Sequence, residues 1–105
     1  MTPLNEKDFL ESLRQEFLDT SGFTLDECEK LLLKAEKISD PTLFDEFRRQ
    51  LHSLKGSAQA IQLGDIGKAL HDIEAGFANL STAGDLKKSV QYGLNAIDQL
   101  RALLS

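Results

Sequence analysis

The residue types best suited to chemistry fall in one run, His52-Ser53-Leu54-Lys55-Gly56-Ser57-Ala58. Apolar residues recur at Phe44, Phe47, Leu51, Leu54, Ala58 and Ile61, the three- and four-residue spacing of one face of an α-helix. At about 100° per residue, His52 falls at the edge of that stripe, where it meets water. Lys55 and Gly56 follow three and four residues on and share its face, with Gln59 a turn later. An unperturbed imidazole, with a pKa of about 6.5, is an available nucleophile near neutral pH. Lys55, one turn away, can offset negative charge placed on the ring. Glycine inside a helix costs roughly 1 kcal/mol relative to alanine. Gly56 is therefore expected to serve as a gap through which another protein's backbone can approach His52, with Ser57 small beside it.

A second pair, His71 and Glu74, lies three residues apart on what reads as the next helix, in line with Gly67 and Ala78 and off that helix's core stripe. If the two helices are antiparallel neighbours, this row faces His52, Lys55 and Gln59. Glu74 is then placed to accept a hydrogen bond from His52 Nδ1–H, which fixes the tautomer and leaves Nε2 outward. His71 reads as a polar residue supporting the site rather than as a second acceptor. Two histidines and a glutamate also raise zinc, but no second liganding pair supports a metal. Arg48 and Arg49, one turn before His52, are candidates for contact with an acidic partner, or simply a solvated face. Cys28, on a core face, reads as a small buried hydrophobe.

The periodicity predicts five helices to hold these residues. The first, from residue 4 to about 20, carries a narrow stripe of Phe9, Leu10, Leu13 and Phe17, and Thr20-Ser21-Gly22 is expected to break it. The second is expected to start at a capping box of Thr24 and Glu27, with Phe23 stapled onto Cys28. Its core face is Leu25, Cys28, Leu31, Leu32, Ala35 and Ile38. Leu33 lies off that stripe, either covered by the first helix or part of a docking patch. Asp40 and Pro41 read as N-cap and first turn of the third helix, and Gly64 as its end. Asp65 then suits the N-terminal dipole of the next helix. The fourth helix packs through Ile66, Ala69, Leu70, Ile73, Phe77 and Leu80. The fifth, capped by Thr82 or Asp85, packs through Leu86, Val90, Leu94, Ile97, Leu100 and Leu104. Five amphipathic helices with short loops define an all-α fold: an antiparallel four-helix bundle over 23–105 with an additional N-terminal lid helix over 1–22.

The totals narrow the function. A chain of 105 residues is one domain with one modest core. A formal net charge of −5 argues against nucleic acid and anionic membranes as partners. A single cysteine makes no internal disulfide, which suits a reducing, cytoplasmic setting. No apolar run approaches the roughly 20 residues of a membrane span, and no apolar heptad seam is left over, so a monomer is expected. With no Gly-rich phosphate loop, nothing in the chain is suited to bind ATP.

The His52-x-x-Lys55-Gly56 run with its small residues resembles the active-site helix of histidine-containing phosphotransfer (HPt) domains. The segment from His52 to Glu74, with His71, is also similar to the phosphoacceptor domain of chemotaxis histidine kinases; the likeness is most specific over residues 25–80. The resemblance implies an HPt-like bundle in which His52 accepts a phosphoryl group and Lys55 offsets its charge. Glu74 would orient the ring, with His71 nearby, and Gly56, Ser57, Gln59, Arg48 and Arg49 would form the docking face. It implies a phosphocarrier rather than an enzyme, working with a response-regulator receiver domain or a histidine kinase. No cofactor of its own is expected; Mg²⁺ would come with the receiver, whose site is rich in carboxylates. The alternatives are the phosphoacceptor module of a chemotaxis-type kinase, an adaptor bundle that is never phosphorylated, and a structural bundle with a chance motif.

Overall fold

The computed structural model describes residues 6–79 and 85–104. They form four helices: α1 (Glu6–Ile38), α2 (Pro41–Ala60), α3 (Gly64–Asn79) and α4 (Leu86–Leu104). Two- and three-residue connections reverse the chain after α1 and α2, and α4 returns to pack on α1, closing an all-α antiparallel bundle. No described helix is long and apolar enough to cross a membrane.

The expected break at Thr20-Ser21-Gly22 does not occur. The first two predicted helices are one, and the lid is the N-terminal continuation of α1 rather than a separate helix laid over an end. The hydroxyls that signal a stop are absorbed within the helix. Ser21 Oγ donates to Phe17 O at 2.5 Å, and Thr20 Oγ1 donates to Glu16 O at 3.0 Å. Thr24 Oγ1 turns back to Thr20 O at 3.2 Å, so the capping box with Glu27 is not formed. Phe23 is 68% exposed and staples nothing. Burial of Phe17, Ser21 and Leu25 along one face outweighs the roughly 1 kcal/mol that Gly22 costs in mid-helix. Leu33 is exposed, not covered by an N-terminal helix, and Ile38, expected in the core, is also exposed.

The other boundaries follow the residues more closely. Asp40 Oδ1 accepts from Thr42 N at 3.0 Å as the N-cap of α2, with Pro41 in the first turn. Asp85 caps α4, accepting from Lys88 N at 3.2 Å; Thr82 and Leu80 lie outside the described residues. The end of α2 differs. Gln62, not Gly64, takes the left-handed conformation, with φ of 63°, and Gly64 opens α3. Leu63 N–H donates to Ala58 O and Gln62 N–H to Gln59 O, which is a Schellman closure. Asp65 sits in the first turn of α3 as expected.

The core runs the length of the bundle through Leu25, Leu32, Phe47, Leu51, Leu70, Val90 and Ile97. Phe44, Phe47, Phe77 and Tyr92 form an aromatic cluster joining α2, α3 and α4, with Phe77 edge-to-face to the other three rings and Phe44 tilted against Phe47. Two glycines make this packing possible. A Cβ on Gly76 would fall 1.7 Å from the Tyr92 hydroxyl, and one on Gly93 would meet Leu32 Cδ1 at 2.9 Å and Phe47 Cε2 at 3.0 Å. On the far seam, the Arg101 guanidinium spans from α4 to Asp26 at 2.7 Å and Glu29 at 2.9 Å on α1.

Candidate functional site

The α2–α3 seam is where the reactive residues meet. Leu51, Leu54 and Ala58 bury one stripe of α2, and Leu70, Ile73 and Phe77 bury one stripe of α3. The rows beside these stripes come face to face at the surface. Gln59 Cγ lies 3.3 Å from where a Gly67 Cβ would stand, so the absence of a side chain at Gly67 lets Gln59 lie across α3. One turn along, Lys55 Nζ is 2.5 Å from Glu74 Oε2, and beyond it His52 Nδ1 is 3.1 Å from Glu74 Oε1.

Glu74 is thus shared between two donors on α2. Its partial burial pushes the carboxyl toward a higher pKa. The hydrogen bonds from Lys55 and then His52, with their charges, outweigh that, and the net shift is downward. An ionised carboxylate only accepts, so the contact with His52 requires the proton on Nδ1. Nε2 then carries the lone pair, with no protein partner among the described residues. The His52 side chain is 74% exposed, whereas those of Lys55 and Glu74 are 15% and 23% exposed. The imidazole faces water, and the two side chains that support it lie beneath it.

A shallow groove of about 630 Å³ opens beside His52, lined also by Asp45, Arg48, Arg49, Ser53, Glu74 and Phe77. Arg49 is ion-paired with Glu46, one turn earlier on α2. The Arg48 guanidinium carbon sits 5.9 Å from the centre of the Phe77 ring. Gly56 is exposed, and a Cβ added there would meet nothing within 4 Å. Ser57 points elsewhere: it lines a cleft toward α1 with Phe17, Thr20 and Thr24. His71 is exposed and lies 3.5 Å from its neighbour Asp72, with no contact to His52. Among the described residues, no three His, Cys, Asp or Glu side chains gather as a metal site. Asp45, Ser53 and Phe77 were not read from the sequence as groove residues. Their spacing carries the signal: Asp45 is two turns before His52, and Phe77 is one turn after Glu74.

Against known families, the Hpt domain model matches residues 12–105, nearly the whole chain. The protein belongs to the Hpt domain family, whose members are histidine phosphotransfer modules of two-component signalling. No curated protein and no solved structure matches it.

Proposed function

We propose that the chain is a phosphocarrier of a two-component phosphorelay in which His52 Nε2 takes a phosphoryl group and passes it to a receiver-domain aspartate. Family membership supports the class of reaction. The observation that carries the choice of residue is the three-part contact of His52 Nδ1 and Lys55 Nζ with the two oxygens of Glu74. His71 has no comparable support.

The step needs little covalent machinery from this chain. The Nε2 lone pair attacks the phosphorus of an aspartyl phosphate, an N–P bond forms, and the P–O bond breaks with its electron pair returning to the donor carboxylate. The proton on Nδ1 stays in the bond to Glu74, whose charge stabilises the positive charge that the ring acquires. Transfer onward is the reverse at a second receiver. Mg²⁺ belongs to the receiver, where it neutralises the aspartate side of the reaction. Gly56 keeps the face of α2 open next to His52, so the partner's backbone can bring its aspartate within bonding distance. The chain is a reactant in turn with its partners, and a monomer in this reading.

Incubation with a phosphorylated receiver or a competent kinase tests it. Wild type should acquire an acid-labile, alkali-stable phosphate. His52→Gln should lose labelling entirely while its circular dichroism stays native. Labelling that persists in His52→Gln would move the site elsewhere and refute the assignment.

A further inference from the structure

Three cations of α2 lie within one turn of His52, and two of them are committed. Lys55 is held on Glu74 and does not line the groove beside the ring. Arg49 is held on Glu46. Arg48 makes no ion pair among the described residues, although Asp45 lines the same groove; it rests instead against the Phe77 ring. Arg48 lies one turn before His52 on α2, and both side chains line the same groove. Glu74 occupies Nδ1, which leaves Nε2 as the edge of the ring where new charge would appear.

We infer that Arg48, rather than Lys55, is the cation that binds the phosphoryl group on His52. This rests on His52 being the phosphoacceptor. The phosphoryl group brings a charge of about −1.5 to −2 near neutral pH. The Lys55 charge is already matched by the Glu74 carboxylate, and drawing it away would leave that half-buried carboxylate with only its bond to the His52 ring, beside the new anion. Arg48 gives up only a contact with an aromatic face. In return its planar fork makes charge-assisted, bidentate hydrogen bonds to phosphoryl oxygens, which are stronger than a cation–π contact at a partly exposed site. Phe77 serves as the resting place of the guanidinium and holds it within reach. Lys55 and Glu74 stay paired throughout and keep the ring oriented.

The full chain can be phosphorylated with phosphoramidate, a small donor that needs no docking, and the phosphohistidine titrated by ³¹P NMR. A bound cation favours the fully ionised phosphoryl group. Arg48→Gln should therefore still label at His52 but raise the pKa of the final phosphoryl ionisation by about 0.5 unit or more. Arg48→Lys should restore part of the shift, and Lys30→Gln on α1 should leave it unchanged. An unshifted titration in Arg48→Gln, with the shift appearing instead in Lys55→Gln, would overturn the assignment and return the role to Lys55. Wild type that takes no phosphoryl group at His52 would overturn this inference together with the proposed function, an outcome distinct from labelling without a shift.

Discussion

At the scale of single residues, the site depends on one carboxylate answering two donors. Glu74 is ionised at a pH where an ordinary glutamate begins to protonate, because Lys55 and His52 both hydrogen-bond to it. A carboxyl with a depressed native pKa contributes stability that is fully present above its unfolded value and is lost as pH falls through the native value. Glu74→Gln should therefore be less stable than wild type by about 1 kcal/mol near neutral pH, and the gap should close in acid once both side chains are uncharged. Urea unfolding at about pH 7 and about pH 3 measures the two differences; a gap that stays constant would mean that the ion pair with Lys55 contributes nothing. Cys28 behaves in the opposite sense. Burial, with the charges of Glu27 and Glu46, pushes its thiol up to about 11. It should resist alkylation in the native protein and react only on unfolding, which a thiol reagent with and without urea will show.

At the scale of helices, glycine has different meanings in different places. Gly56 has open space around it, so Gly56→Ala should gain up to roughly 1 kcal/mol of stability from helix propensity alone. Gly93 lies against Leu32 and Phe47, so Gly93→Ala should lose about 1–3 kcal/mol to overpacking, less what propensity returns. Denaturant midpoints of the two variants should move in opposite directions; a common direction would refute one of the two packing descriptions. This contrast also shows what could be read from the sequence. The stripes of α2, α3 and α4 were legible from the spacing of residues such as Phe47, Leu51, Leu70 and Ile97, and so was the meeting of His52 with Glu74, because two antiparallel helices of fixed pitch leave little freedom. The continuity of α1 was not legible. Ser and Thr hydroxyls suit a cap and a back-bonded helix equally, and the choice was made by packing of Phe17 and Ser21 against other helices. Nor was the place of Gln62, since a Schellman closure there needs only that the local backbone bonds outweigh the left-handed strain. Gly76 and Gly93 gave no local signal, because what fills their space comes from α4 in one case and from α1 and α2 in the other.

At the scale of the whole molecule, the shape follows from unequal helix lengths. α1 has 33 residues and α2 has 20, about 50 Å against 30 Å at helical rise, and the described structure extends 58 × 23 × 21 Å. The first turns of α1 run past the end of α2, where Leu10 and Arg14 flank Ile61 and Leu63 in an open groove. These turns have little beneath them, and their amide protons should exchange well before those around Leu25 and Leu32, which are fully buried. With the core stripes of all four helices turned inward, sedimentation should give a concentration-independent mass of 11.7 kDa. A mass that rises with concentration would place an unrecognised contact on the exposed apolar side chains of α1, Phe9, Phe23, Leu33 or Ile38.

The claim on which the rest depends is that Glu74 holds His52 by Nδ1 so that Nε2 carries the phosphoryl group. Long-range ¹H–¹⁵N correlation of the imidazoles, recorded on the full chain before and after phosphorylation, reads this directly. Before phosphorylation, His52 should be in the Nδ1–H tautomer, and Glu74→Ala should shift that balance. Afterwards, phosphorus should be bonded to His52 Nε2, with the proton still on Nδ1 and the His71 resonances unchanged. Phosphorus on His52 Nδ1, or on either nitrogen of His71, would contradict the account.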